Sequence, residues 1–186
     1  MGCRYVKFKC HHSNHCCKDV VCLPTPWDVL RIAMNTGKDP RRFLEFLSTD
    51  EITGVRKCDP TWLKINGKRY MMALRRDEKL GCFFLDRTTR YCSIYEHRPL
   101  LCRLYPFKLH ETRDGEFSHF SLHTDVGCPR HQDGLVETKP LYDLYLQDKM
   151  HQDDYITLVE TFNKQAGKDS KPQDFLNLFL EIVEET

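Results

Sequence analysis

The 186-residue sequence predicts a mainly α fold with irregular Cys- and Pro-rich loops, one small β-hairpin and a C-terminal helical brace. Three observations carry that expectation. Apolar residues recur at helical spacing after residue 25 and again after residue 140. The stretch from Gly81 to Phe107 is rich in cysteine, aromatics and proline but has little periodicity. The last 55 residues are acidic and carry aromatic stripes suited to packing.

The elements follow in order. Thr25 is a good N-cap, Pro26 suits the first helical position and Asp28 closes a capping box, so a helix starts there and stops at Gly37. Trp27, Leu30 and Met34 share its expected buried face, broadened by Ile32 and Ala33. A second short helix is expected from Asp39 and Pro40, burying Phe43, Leu44 and Leu47. Asn66-Gly67 followed by alternating Tyr70, Met72 and Leu74 reads as a hairpin within residues 58–80. Residues 117–123 read as a strand. Beyond Pro140, Leu141, Leu144, Tyr145, Asp148, Tyr155, Leu158, Val159 and Phe162 keep helical spacing up to Gly167. A last helix runs from about Pro172 to Glu184, with Phe175, Leu178, Phe179 and Ile182 on one face.

Composition narrows the class. An apolar content of 40% with mean hydropathy −0.56 allows a core. No stretch approaches the roughly 18–20 apolar residues of a membrane span, and the N-terminus lacks an apolar leader. The expectation is a soluble, cytoplasmic chain without a membrane partner. Residues 1–131 hold 23 basic and 15 acidic side chains, whereas residues 132–186 hold 5 and 12. An acidic extension (132–186) folding onto a basic body (1–131) accounts for this asymmetry. A free basic face for an anionic partner is the alternative, which leaves nucleic acid open without favouring it. No P-loop, GxGxxG, GxSxG or HExxH is present.

Ten cysteines are the informative feature. Cys10, Cys16, Cys17 and Cys22 form one group; Cys82, Cys92, Cys102 and Cys128 form a wider one; Cys3 and Cys58 stand apart. Crowded thiols in a chain without an export signal point to metal rather than disulfides. Nine residues separate Cys82 from Cys92, and nine separate Cys92 from Cys102, too many for one helical turn, so loops must converge on a common centre. Pro99, Pro106 and Pro129 keep those loops out of helix, and Phe83, Phe84, Leu85, Ile94, Leu100, Leu101 and Phe107 would wall the centre from water. Arg98 and Arg103 bracket Cys102. They suit charge compensation of thiolates or a fork for an anionic group, with a salt bridge to Glu96 or Asp86 as the plainer reading.

From Phe8 to Pro129 the chain resembles the YkgJ-like CxxCxxCC cysteine-cluster family of zinc- or iron-chelating proteins. The resemblance rests on Cys92-Ser93-Ile94-Tyr95, on Arg98-Pro99, on the run Cys102 to Phe107, and on residues 21–33 after the cysteine pair. It implies metal ligation by Cys10, Cys16, Cys17, Cys82, Cys92, Cys102 and Cys128. Seven thiolates exceed the four of one tetrahedral ion, so two centres or one cluster of several ions is implied. The second cysteine of the motif is Ser13 here, a poor donor for a soft metal, and His12 or His15 is the available substitute. An iron–sulfur cluster and zinc both accept such thiolates. Cys128-Pro129 and a similarity of the cysteine region to flagellin lysine-N-methylases favour iron–sulfur; the lack of a CxxCxxC run opposes it. Cys22 reads as a small buried hydrophobe, and Cys3 and Cys58 as bystanders. Two functions stay open: a redox or methyl-transfer-related enzyme or accessory, and a structural zinc module with a basic face for a macromolecular partner. No catalytic residue or substrate is legible.

Overall fold

The computed structural model describes residues 4–124, 126–128 and 132–184, with side chains described as far as residue 180. Cys3, Pro129 and the side chain of Ile182 lie outside that range. In chain order the elements are β1 (Tyr5–Lys7), α1 (His15–Lys18), α2 (Pro26–Thr36), α3 (Pro40–Phe43), β2 (Leu44–Ser48), β3 (Leu63–Ile65), β4 (Lys68–Leu74), β5 (Arg76–Asp77) and β6 (Gly81–Cys82). A 3₁₀ turn (Tyr95–His97) leads to α4 (Leu100–Leu104), β7 (Phe107–Glu111), β8 (Phe117–Leu122), β9 (Leu135–Glu137), α5 (Thr138–Gln165) and α6 (Asp174–Glu184).

With 36% helix and 22% strand in several small sheets, the architecture is mixed α/β, which corrects the mainly α expectation. The strands come from places where local pattern was ambiguous. Leu44–Ser48 carries apolar residues that fit a helical spacing, yet it pairs along its whole length with β4, from Leu44↔Leu74 to Ser48↔Tyr70. Long-range pairing outweighs local preference there, and the expected second helix is reduced to the single turn of α3. The expected hairpin forms, with β3 and β4 joined at Asn66-Gly67 and both residues at positive φ.

Helix α2 has the expected ends. The Thr25 side chain accepts from the Asp28 amide, the Asp28 carboxylate accepts from the Thr25 amide, and Gly37 stops the helix in the left-handed region. Its buried face differs from the expected one. Val29, Ile32 and Asp28 are buried, while Trp27 and Met34 are 49% and 77% exposed. Trp27 instead donates from Nε1 to Asp154 Oδ2 at 2.9 Å, tying α2 to α5.

The main core joins Val29 and Ile32 of α2, Phe43, the sheet residues Leu63, Ile65, Met72 and Leu74, the loop residues Phe84 and Ile94, and Tyr155, Val159, Phe162, Phe175 and Phe179 of the last two helices. Rings of Phe43 and Phe84 meet at 5.2 Å, and those of Phe162 and Phe175 at 5.6 Å edge-to-face. Truncating Phe84, 2% exposed, should cost on the order of 3–5 kcal/mol. Asn163 of α5 accepts from the Lys64 amide and donates to the Trp62 carbonyl, so the helix covers the free edge of β3. Antiparallel pairing of β1 with β9 (Val6↔Val136) clamps the chain just before Cys10 to the chain just after Cys128. That ribbon closes the cysteine-rich region on itself. No helix among the described residues is long and apolar enough to cross a membrane.

Candidate metal centre

Each cysteine is placed by a local device. Cys10 lies three residues past β1. His12 and Asn14 take positive φ (53° and 64°), a conformation Asn tolerates, and Asn14 O then accepts the amides of Cys17 and Lys18 to start α1. That single turn carries Cys16 and Cys17. Cys82 sits on β6 after Gly81, whose φ of 84° and close approach admit no side chain: a Cβ would lie 2.6 Å from the Cys17 carbonyl oxygen. The second cysteine group is thereby laid against the first.

The loop between Cys82 and Cys92 is shaped by Asp86, whose Oδ1 accepts from the amides of Thr88 and Thr89 and from the Thr89 hydroxyl. A bridge between Leu85 and Cys92 closes it. Cys102 lies in α4, whose first amide, Leu100 N, donates to buried Asp28 Oδ1 at 3.1 Å. One carboxylate thus caps α2 and positions the turn bearing Cys102. Cys128 is brought in by Gly127, whose backbone packs so closely on the His15 ring that a Cβ would sit 2.7 Å from it.

The outcome is one cavity of about 310 Å³. All seven cysteines singled out by the sequence line it, as do Arg98, Arg103 and Cys22. Phe84, Ile94 and Phe107 supply apolar wall. Ser13 and His12 also lie on the wall, whereas His15 is engaged elsewhere, with Nδ1 2.8 Å from Asp19 Oδ2. Cys58 is exposed and away from the cavity. Cys10, Cys16, Cys17, Cys22, Cys58, Cys82, Cys92 and Cys102 are reduced thiols, not bound in disulfides. Sulfur–sulfur approaches include Cys16 to Cys17 at 4.0 Å and Cys22 to Cys102 at 3.3 Å, and Cys17 also lies beside Cys92. Among the described residues no three Cys, His, Asp or Glu side chains converge on one ion-sized point.

Electrostatics divide the thiols into two groups. Cys17 is held protonated by its hydrogen bonds to Cys16 and Cys92 and by burial. Its two partners fall, Cys16 to about 6 and Cys92 to about 7, each chiefly through the Cys17 hydrogen bond, with the positive charge of Arg98 helping and burial opposing. On the other side, burial raises Cys82 to about 11, and the Cys102 contact followed by burial raises Cys22. The Arg98 guanidinium lies 3.8 Å over the Tyr95 ring, and its buried Nε has no hydrogen-bond partner among the described residues. Arg103 donates to the backbone carbonyls of Arg98 and Glu96, and Asp86 is occupied in its own turn. Neither arginine has an ion-pairing carboxylate among the described residues, so the salt-bridge reading to Glu96 or Asp86 does not hold. Arg31, paired with Asp28 at 2.5 Å, donates to the Arg98 carbonyl and so holds the Arg98 backbone.

The donor set fits a thiophilic metal: reduced sulfurs on an apolar wall, with cations placed to offset thiolate charge. Sequence reasoning missed the second role of Asp28, which read only as a cap. Cys22 is buried in the apolar core as expected, and its contact with Cys102 is not legible from spacing.

Comparison with known proteins agrees with this chemistry. Residues 9–129 match the CxxCxxCC family, described as "Putative zinc- or iron-chelating domain". An uncharacterized protein of Methanocaldococcus jannaschii is 35% identical over 86 residues, 46% of this chain and 40% of that protein's length. No solved structure matches. The chain belongs to the CxxCxxCC family of zinc- or iron-chelating domains.

Proposed function

We propose that this CxxCxxCC-family chain holds an iron–sulfur centre in the cysteine-lined cavity and serves a redox or group-transfer reaction, as enzyme or accessory. The observation that carries the reading is the convergence of all seven family cysteines on one cavity of about 310 Å³. A water molecule's share of liquid volume is about 30 Å³, so this space suits several atoms of metal and sulfide better than one ion. Seven thiolates also exceed the four that a closed zinc ion takes.

In this reading Cys10, Cys16, Cys17, Cys82, Cys92, Cys102 and Cys128 are the ligands. Such a centre supplies one-electron chemistry or, with one iron open, a Lewis acid. The chain's own residues do the rest. Arg98 lowers the cost of thiolate at Cys16 and Cys92, and Arg103 fixes the loop that presents Arg98. Phe84, Ile94 and Phe107 keep water off the sulfurs. Residues 1–131 form the metal-binding unit and 132–186 an acidic helical brace. Free thiols of this kind belong in a reducing compartment such as the cytoplasm.

The test is anaerobic purification followed by iron, zinc and acid-labile sulfide analysis. A brown protein with iron and sulfide in comparable amounts is expected. Colourless protein with zinc and no sulfide would replace the reading with a structural zinc module. Cys102→Ser should lose metal and stability together, and exposed Cys58→Ser should change neither.

A further inference from the structure

We infer that Cys22 is an eighth thiol ligand of the centre, taking the place left by Ser13. This rests on the metal-centre reading above.

Cys22 is not one of the seven cysteines that the family pattern assigns as ligands, and a buried cysteine is ordinarily a small hydrophobe. It packs in the main apolar core, and its sulfur also faces another thiol. Only 7% exposed, it lies on the wall of the same cavity as the other seven thiols, with Sγ 3.3 Å from Cys102 Sγ. Two thiolates on one zinc ion, each about 2.3 Å from it in a tetrahedron, are about 3.8 Å apart. The Cys22–Cys102 pair is already inside that span.

Both thiols are fixed by backbone rather than by side-chain wandering. Cys22 O accepts from the Leu74 amide at 2.9 Å, anchoring the loop to the central sheet. Cys102 is held by α4, whose first amide is bound to Asp28. Thiols make weak hydrogen bonds, so an S–H···S contact alone gives little reason to anchor two sulfurs face to face.

Counting agrees. Seven thiols leave one set of four incomplete, while eight make two closed sets. The motif position that would have supplied the eighth is Ser13, which lines the cavity and whose hydroxyl is a poor ligand for soft metals.

The experiment uses the full chain, stripped of metal under reducing conditions and titrated with Cd²⁺, whose sulfur-to-metal charge-transfer band counts thiolates per ion. Wild type, Cys22→Ala, Cys22→Ser and the double variant Cys22→Ala with Ser13→Cys are compared, with circular dichroism to verify folding. Wild type should bind two ions with four-thiolate intensity. Both single variants should lose the second ion or its full intensity, and Ser13→Cys should restore it. A purely structural role for Cys22 predicts no such rescue. Unchanged ion number and intensity per ion in folded Cys22→Ala, or loss without rescue in the double variant, would overturn the assignment while leaving the metal-centre reading intact. Absence of tight Cd²⁺ binding by wild type would sink both.

Discussion

Replacing Asp28 with alanine tests how the fold delivers Cys102. The Asp28 carboxylate, 1% exposed, accepts from the Thr25 amide (3.0 Å) and hydroxyl (3.1 Å), from Arg31 (2.5 Å) and from the Leu100 amide (3.1 Å). Alanine leaves a cation and three further donors without their acceptor, where water reaches poorly. The lost cap costs about 1 kcal/mol. Uncompensated donors cost about 1–3 kcal/mol each, though these losses do not simply add. Breaking a buried ion pair by removing one partner costs about 3–5 kcal/mol, which is the total expected here. Asp28→Asn keeps one acceptor oxygen and should lose roughly half as much. Urea unfolding of the metal-free protein, followed by fluorescence of Trp62 (2% exposed), reads the stability. Metal content at limiting supply reads the consequence for α4. A loss below about 1 kcal/mol with unchanged metal retention would show that Asp28 is a surface-type cap and not the link between α2 and Cys102.

Three further outcomes follow from other parts of the molecule. Gly81→Ala should cost about 2–3 kcal/mol and weaken metal binding, because its Cβ meets the Cys17 carbonyl oxygen. Gly67→Ala, with a similar positive φ but open space, should cost only about 1 kcal/mol and spare metal, as urea midpoints and metal analysis would reveal. Asp148 has its carboxyl pushed up to about 6 by burial and the Asp28 charge, so its ionised form is disfavoured in the folded state. Below pH ~4 both folded and unfolded forms are protonated and there is no penalty; it grows between pH ~4 and ~6 and is constant above. Asp148→Asn should therefore stabilise the protein at pH 7.5 by on the order of 1–2 kcal/mol, a value discounted for partial solvent access, and by nothing near pH 3.5. A stabilisation equal at both pH values would refute that cause.

What the sequence revealed, and what it hid, has a physical pattern. The cap of α2 was readable because Thr25, Pro26 and Asp28 act within one turn, and the Asn66-Gly67 hairpin because its turn is local. The buried face of α2 was misread because Trp27 finds a partner on α5 and Asp28 turns inward, neither of which local spacing records. The fold class was misread for the same reason. Pairings such as Val6↔Val136 or Leu44↔Leu74 depend on residues far apart, and the short strands involved have no strong period of their own. The cysteine cavity was foreshadowed because thiol number and spacing are chemical signals that survive without a fold. Cys22 was hidden among apolar neighbours, and its significance rests on a sulfur 80 positions away.

X-ray absorption at the metal edge of the anaerobically purified, untagged protein tests the central claim most directly. The account predicts an iron edge with a first shell of sulfur at about 2.3 Å and a second shell of neighbouring iron. A first shell dominated by nitrogen and oxygen, or a protein that carries no metal at any edge, would contradict it.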